Sequence, residues 1–184
     1  MNGSRKIADV VLVHAAWADG SCWARVIGPL QSRGLRVLAA PIPLTSLSDD
    51  VAALERSLER TDGPIVLVAH AYSGAVTGAS INERVQSLVF ITGLTPDEGE
   101  TVGEVFYREK PHPEAPQLAP DKHGFIWMPD DRFGTAFCQN ASTEQAALLA
   151  ATQRPIALAC FQERVPKPIW KAKPSWYLVA RKIG

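Results

Sequence analysis

The stretch that decides the fold is PIVLVAHAYSGAVTGA, residues 64–79. Its first half is a run of β-branched and other apolar side chains, which predicts a strand buried on both faces of a sheet. The small residues that follow favour a tight turn and a short helix over residues 74–82, pressed closely against that sheet. The tip of the turn is Ala71, and the nearest hydroxyl groups belong to Tyr72 and Ser73. The unit is therefore a strand, a turn and a helix with a methyl group at the apex.

Strand and helix signals alternate on either side of this unit. Further strands are predicted over residues 7–13, 35–40, 85–92 and 175–180. Helices are predicted over residues 21–33 and after an N-cap at Ser48, where two aspartates occupy the first turn. Helices between consecutive strands imply right-handed crossovers and a parallel sheet. The predicted fold class is α/β, a doubly wound, mostly parallel sheet.

The alternation stops after residue 94. Residues 95–170 contain nine prolines and no good strand, and their one clear helix follows a capping box formed by Ser142 and Gln145. We interpret this segment as a small helical cap inserted over the sheet. The predicted organisation is a core of residues 1–94 and 171–184 with a cap of residues 95–170.

Composition and charge exclude several classes of function. Nineteen basic residues balance nineteen acidic ones, so nucleic acid and anionic membranes are not expected as partners. No segment approaches the roughly 18 apolar residues of a membrane span. The three cysteines, Cys22, Cys138 and Cys160, are too widely spaced for a metal motif or a disulfide framework. We expect no metal or other cofactor, buried or part-buried free thiols and a cytoplasmic protein.

Three stretches together resemble the α/β-hydrolase superfamily. They are VVLVHAAWADGSCW at residues 10–23, VLVAHAYSGAV at 66–76 and LVFITGLTPDEGETV at 88–102. In order and spacing they are similar to the first core strand with its oxyanion loop, the nucleophile elbow, and the strand that leads into the cap. The nearest branch is the small-cap group of hydroxynitrile lyases, plant-type methylesterases and their bacterial relatives.

The resemblance implies roles for particular residues. Ala71 occupies the nucleophile position, and the backbone N–H groups of Ala16 and Tyr72 correspond to the oxyanion hole, which stabilises developing negative charge. The substrate-binding positions implied around them are His14, Ala15, Trp17, His70 and Trp127. The resemblance also places the acid and the base histidine of the triad after the strand at 175–180. The chain ends at Gly184, so we expect a C-terminally truncated hydrolase with an incomplete fold and a degenerate triad.

Other residues are candidates to replace the missing groups. Ser73 is expected to start the helix and bond to the backbone instead of facing the pocket, and Tyr72 is expected to form pocket wall. Cys22 is interpreted as a structural thiol, and Asp97 as part of a Pro-Asp turn. His14 and His70 are expected to orient the two loops by hydrogen bonds. His112 and His123 lie in proline-rich cap sequence and are expected to face solvent.

Three functions follow as hypotheses. The first is an esterase-like or hydroxynitrile lyase-like protein that is weak or inactive as a hydrolase. The second is a binding module for a small apolar molecule or ester-like compound. The third is a fragment of a larger enzyme that moves protons with a histidine and an acid. Two readings of the cap residues are open: they line an apolar pocket over the elbow, or they pack the cap against the sheet. These residues are Phe125, Trp127, Phe133, Phe137, Leu148 and Leu149. The apolar strand at 175–180 also predicts self-association through an uncovered sheet edge.

Overall fold

A computed structural model describes residues 8–110 and 115–180. Its main sheet contains five parallel strands: β1 (Asp9–Val13), β2 (Arg36–Ala40), β3 (Ile65–His70), β4 (Val85–Ile91) and β7 (Ser175–Leu178). Their order across the sheet is β2-β1-β3-β4-β7. The predicted α/β class and parallel sheet are confirmed, and Ile7 of the first predicted strand lies outside the described residues.

The register of the two central strands places two loops side by side. All five residues of β1 are buried, and Val13 at its end pairs with Ala69 of β3. Ala16 and Tyr72 each lie three residues beyond this pair. Because parallel strands end at the same edge of a sheet, these two residues lie at one edge, where α/β sheets bind their ligands.

Three helices connect the core strands. They are α1 (Ala24–Gln31), which follows a 3-10 turn at Gly20–Trp23, α2 (Leu47–Leu58) and α3 (Ser73–Gly78). The predicted N-cap at Ser48 is wrong by two residues. Ser46 has extended backbone and accepts the N–H of Asp49, while the N–H of Ser48 donates to the carboxylate of Glu163 at 2.8 Å.

Where it is described, in residues 95–110 and 115–170, the segment predicted as a cap contains four short α-helices and one small strand pair. The helices are α4 (Val102–Phe106), α5 (Asp130–Phe137), α6 (Thr143–Ala151) and α7 (Ala159–Gln162). The capping box of Ser142 and Gln145 is confirmed at the start of α6. The sequence predicts no good strand here, and the structure adds one short pair, in which β5 (Phe125–Ile126) runs antiparallel to β6 (Ile156–Ala157). Two-residue strands are too short to produce a periodic signal.

Strand β7 is an exposed apolar edge, as the sequence predicted. Its residues Trp176, Tyr177 and Leu178, together with the following Val179, are between 51% and 68% exposed. Only β4 pairs with this strand in the described sheet. An edge of this kind offers unpaired backbone groups and apolar side chains to another polypeptide.

Candidate functional site

The turn after β3 has the strained backbone of a nucleophile elbow. Ala71 has φ +50°, a conformation that residues with a side chain rarely adopt. Its N–H donates to the carbonyl of Ile91 at 3.2 Å, and its carbonyl accepts the N–H groups of Leu94 at 2.8 Å and Gly74 at 3.0 Å. A Cβ at Gly74 would lie 2.5 Å from the carbonyl oxygen of Leu94. The turn therefore requires a glycine at 74, and neighbouring backbone holds it in place.

Ser73 is fully buried and serves the backbone, which confirms its predicted role. Its hydroxyl donates to the carbonyl of Val13 at 2.8 Å and accepts the N–H of His70 at 2.9 Å. These bonds tie the end of β1 to the elbow. With both its donor and an acceptor site used in the core, this hydroxyl does not face the cavity above Ala71.

Tyr72 is not pocket wall, so that prediction is wrong. Its ring is 2% exposed and its hydroxyl donates to Oδ2 of Asp50 at 2.7 Å, beneath the elbow. The other carboxylate oxygen of Asp50 accepts the N–H of Leu44 at 2.6 Å, and the thiol of Cys160 lies 3.7 Å from Oδ2. Burial raises the pKa of Asp50 to about 6, and desolvation raises the pKa of Tyr72 well above its usual range.

Asp50 and Cys160 are functional candidates that sequence reasoning missed. The acidic first turn of α2 was assigned only to the helix dipole, since Asp49 and Asp50 are adjacent. In the structure Asp49 is exposed, whereas Asp50 is fully buried against the elbow. The apolar face of α2, with Leu47, Leu54 and Leu58 buried, placed Asp50 on the inner side and could have identified it.

The two backbone donors of the implied oxyanion hole are available. Ala16 and Tyr72 are 5% and 2% exposed, and neither N–H is hydrogen-bonded to another described residue. Buried N–H groups are nearly always paired, so two free ones at one sheet edge indicate a place for an acceptor. A carbonyl or carboxylate oxygen of a ligand would satisfy them.

His14 lies beneath this edge as a structural residue. Its ring is fully buried, with Nδ1 2.9 Å from the carbonyl of Ala15 and Nε2 accepting the N–H of Ile42 at 3.4 Å. Desolvation lowers the pKa of His14, which favours the neutral ring that these two bonds need. The predicted loop-orienting role of His14 is confirmed. His14 and Ala15 are buried and do not line the cavity above Ala71, and their assignment as substrate-binding residues stays a prediction.

His70 differs from His14 in having no such bonds. Its ring makes an edge contact with Trp23, with centroids 6.3 Å apart, and no hydrogen bond to any residue within 8–110 or 115–180. The loop-orienting role predicted for His70 is therefore wrong. The half-buried ring lines the cavity beside Ala71, and desolvation lowers its pKa. His70 is thus a neutral imidazole with free hydrogen-bonding capacity at the cavity wall.

The cavity over the elbow has a volume of about 740 Å³, within the usual range for a small-molecule site. Its floor is Ala71, and Trp17 is fixed at one side by a bond from Nε1 to the carbonyl of Ile126 at 3.0 Å. The remaining lining residues, beside His70, are Phe106, Tyr107, Ala115, Pro116, Gln117, Leu118, Ala119, Met128, Ala136 and Phe137. The polar side chains on the wall are those of His70, Tyr107 and Gln117, and the other lining side chains are mostly apolar.

Trp127 does not line this cavity, and its assignment as a substrate-binding residue stays a prediction. Extended backbone sends successive side chains to opposite sides, and its neighbours Ile126 and Met128 are buried. Trp127 consequently faces outward, is 48% exposed, and donates from Nε1 to Asp121 at 3.4 Å. Of the other cap residues, Phe137 lines the cavity, Phe133 is buried in the core, Phe125 packs against the core, and Leu148 and Leu149 line a separate groove.

The remaining candidates have structural or solvent-facing positions. Asp97 forms the predicted turn, with its carbonyl accepting the N–H of Glu100, and its carboxylate pairs with Lys171 at 2.5 Å. His123 is exposed, as predicted, and His112 lies outside the described residues. Cys22 is exposed instead of part-buried, and its desolvated thiol, next to Asp19, has a raised pKa that disfavours the thiolate. In the described part of the chain, no group of His, Cys, Asp and Glu side chains is arranged to hold a metal ion, and no helix could cross a membrane.

Comparisons with known proteins agree with this geometry. A model of the alpha/beta hydrolase family matches residues 10–182. The chain is 28% identical over 145 residues to a carbendazim hydrolyzing esterase from Nocardioides sp. strain SG-4G, a match that covers 67% of this chain and 60% of the esterase. The chain thus spans about 60% of that relative's length.

Several solved structures share the fold. A pyrethroid hydrolase matches with a TM-score of 0.79, covering 96% of this chain and 79% of its own. Tomato methylketone synthase I complexed with β-ketoheptanoate matches with a TM-score of 0.80, and the match covers 97% of this chain and 81% of the synthase. Polyneuridine aldehyde esterase matches with a TM-score of 0.76, and the match covers 94% of this chain and 79% of the esterase. All three are 18% identical to this chain, which shows a common fold and nothing finer.

Proposed function

From the premise that the chain belongs to the α/β-hydrolase family, we propose that it binds small, mostly apolar carbonyl compounds without serine-based hydrolysis. Esterase-like members of this family attack carbonyl groups at the elbow. The observation that carries the proposal is Ala71 at the apex of an intact elbow. The turn keeps its strained backbone and opens into the cavity, but presents a methyl group there. Acyl transfer needs an activated oxygen or sulfur at this point.

The cavity suits a ligand with a polar head and a short apolar tail. The free N–H groups of Ala16 and Tyr72, at the sheet edge beside the cavity, would donate hydrogen bonds to a carbonyl oxygen at the head. Phe106, Leu118 and Phe137 would contact an alkyl chain. The compound held by tomato methylketone synthase I, β-ketoheptanoate, has this character. Burying a five-carbon chain contributes about 4 kcal/mol and one hydrogen bond about 1 kcal/mol. We therefore expect a Kd on the order of 0.1–1 mM for a seven-carbon ketone.

Calorimetric titration with heptan-2-one tests the proposal. Ala136→Trp places a large ring in the cavity from an exposed position on α5, and should weaken binding at least tenfold. The matched control is Thr135→Trp, which adds the same ring one residue earlier, at an exposed site that does not line the cavity. Equal weakening by both variants, or no binding by the unaltered protein, would contradict the proposed site.

A fluorophosphonate probe tests the absence of serine chemistry. Because Ser73 is buried and bonded to the backbone, intact mass spectrometry should show no adduct on the folded protein. An adduct at Ser73 would mean that the turn rearranges to expose this hydroxyl, and the proposed loss of hydrolysis would be wrong.

A second candidate function is proton transfer at the bound carbonyl compound. His70 favours it, because its neutral, unpaired imidazole lines the cavity next to the elbow. The ring would take a proton from the carbon next to the carbonyl, and the backbone donors would hold the enolate oxygen until the proton returns. In D₂O, NMR should then show exchange of those hydrogens in heptan-2-one that His70→Gln abolishes and His123→Gln, on the exposed surface, does not. Binding without exchange would leave the first function alone.

We also propose a cytoplasmic location. Its support is chemical, since the three cysteines are free and a reducing compartment keeps thiols in that state. Fractionation of the producing cells tests it, and recovery outside the cytoplasm would refute it.

A further inference from the structure

We propose that the buried hydroxyl of Tyr72, bonded to Asp50, is a positioning group that directs the backbone N–H of Tyr72 toward the ligand's carbonyl oxygen. In this way the pair sets the preference of the cavity for carbonyl compounds over hydrocarbons of the same shape. The inference rests on the proposed binding function and adds the residues that give it chemical selectivity. Neither side chain lines the cavity, so both act through the backbone of the elbow.

The direction of this N–H depends on one peptide plane. The bond between Ala71 and Tyr72 is trans, like every peptide bond that the structure describes, so the carbonyl of Ala71 and the N–H of Tyr72 point in opposite directions. The carbonyl is held on one side by the N–H groups of Leu94 and Gly74, at 2.8 and 3.0 Å. The N–H is thereby turned away from those two groups.

The other end of the plane is held by the side chain of Tyr72. Its Cα belongs to a residue with helical backbone, φ −49° and ψ −40°, at the N-cap of α3. Rotating the plane would move this Cα and the ring attached to it. The ring is buried in the core, and its hydroxyl donates to Oδ2 of Asp50 at 2.7 Å. A short bond to a carboxylate is among the stronger hydrogen bonds in proteins, so it resists that movement.

Asp50 is itself held by several contacts, which makes it an effective anchor. It is fully buried in the first turn of α2 and accepts the N–H of Leu44 at 2.6 Å with its other oxygen. The thiol of Cys160, in α7, completes its surroundings at 3.7 Å. Three separate segments of the chain thus hold the carboxylate, and through it the elbow is fixed relative to α2 and α7.

The test compares two ligands of the same shape. Heptan-2-one carries the carbonyl oxygen, and 2-methylhept-1-ene replaces it by a CH₂ group that accepts no hydrogen bond. Competition NMR gives the ratio of their affinities for each variant. The loss of one aligned hydrogen bond should lower the ketone-to-alkene ratio by about fivefold in Tyr72→Phe and in Asp50→Ala. A role in stability alone would weaken both ligands equally and leave the ratio unchanged.

Three further variants complete the design. Asp50→Asn keeps an acceptor for Leu44 and a donor for the hydroxyl of Tyr72, and should retain the ratio of the unaltered protein. Ser57→Ala, on the same helix, removes a buried hydroxyl bonded to the carbonyl of Ala53 and should also retain it. If the single variants do not fold, Tyr72→Phe/Asp50→Leu replaces both buried partners by apolar groups, and its ratio should fall by the same factor.

Each outcome decides the inference. A lowered ratio in Tyr72→Phe or in the double variant, with Ser57→Ala unchanged, supports it. An unchanged ratio in a folded Tyr72→Phe or double variant overturns it and leaves the binding function standing. If the unaltered protein binds neither compound, the proposed function fails, and the inference fails with it.

Discussion

Replacing Gly74 by alanine tests whether close backbone approach maintains the elbow. The new Cβ would lie 2.5 Å from the carbonyl oxygen of Leu94 and 3.1 Å from its backbone N and C atoms. Ordinary contact begins near 3.4 Å, so the shortest distance falls short by about 0.9 Å. All three atoms are backbone and cannot rotate away. The two segments must therefore separate.

The magnitude follows from two opposing effects. Overpacking of this kind costs about 1–3 kcal/mol, and the upper part of that range applies when backbone must move. Alanine in a helix recovers about 0.5–1 kcal/mol relative to glycine. The free energy of unfolding should therefore fall by about 2 kcal/mol, which for a chain of this size lowers the Tm by roughly 4–8 °C.

Thermal denaturation followed by circular dichroism measures this change. Gly134→Ala is the matched control, because Gly134 lies within α5 and its Cβ would meet the Cβ of Ala146 at an ordinary 3.7 Å. The control should keep or raise the Tm, while Gly74→Ala lowers it. Separation at Leu94 also lengthens its bond to the carbonyl of Ala71, so ketone binding should weaken in Gly74→Ala alone. Equal Tm values for the two variants would refute the argument that this contact shapes the turn.

Three other perturbations test separate parts of the structure. Burial raises the pKa of Asp50 from 3.8 to about 6, so the native state keeps a proton that the unfolded state releases. The free energy of unfolding should therefore fall by about 3 kcal/mol as the pH rises from about 4 to 6. Denaturant melts should show that this pH dependence is absent in Asp50→Asn. The Ala71→Ser variant should not hydrolyse p-nitrophenyl butyrate, because no acid among the described residues orients the ring of His70. Measurable turnover of this ester would contradict the prediction. Self-association through the β7 edge should appear in sedimentation velocity, and Leu178→Lys should reduce it. Ile81→Lys, at an exposed apolar site outside this edge, should leave it unchanged. Equal effects of the two variants would exclude the edge as the site of association.

The core of the fold was predictable because its signals are local. Strands such as β1 and β3 are continuous apolar runs, and their burial on both faces makes that pattern unambiguous. The start of α2 was harder to predict, because Ser46 and Ser48 are both suitable N-cap residues close to its acidic first turn. The choice between them depended on Glu163, which takes the N–H of Ser48 and lies 115 residues away in the sequence.

The candidate site was predictable only where backbone defines it. The elbow and the glycine at 74 follow from the order of small residues around Ala71, and the two backbone N–H groups were implied by the resemblance to the hydrolase family. The partners of buried polar side chains did not, because Tyr72 reaches Asp50, 22 residues earlier, only once α2 and α3 pack together. The outward orientation of Trp127 could not be predicted either, because it follows from the two-residue strand β5 that precedes it.

The turn holds its shape with alanine at its apex because its residues have separable tasks. Within the turn, Ser73 bonds to the end of β1, Gly74 allows the approach of Leu94, and the side chain of Tyr72 is anchored to Asp50. These three are committed to the fold, and replacing any of them costs stability. Ala71 and His70 instead present their side chains to the cavity. A substitution at the apex therefore changes a group that faces the cavity while leaving the turn intact, so the residues around Ala71 identify the fold whatever side chain the apex carries.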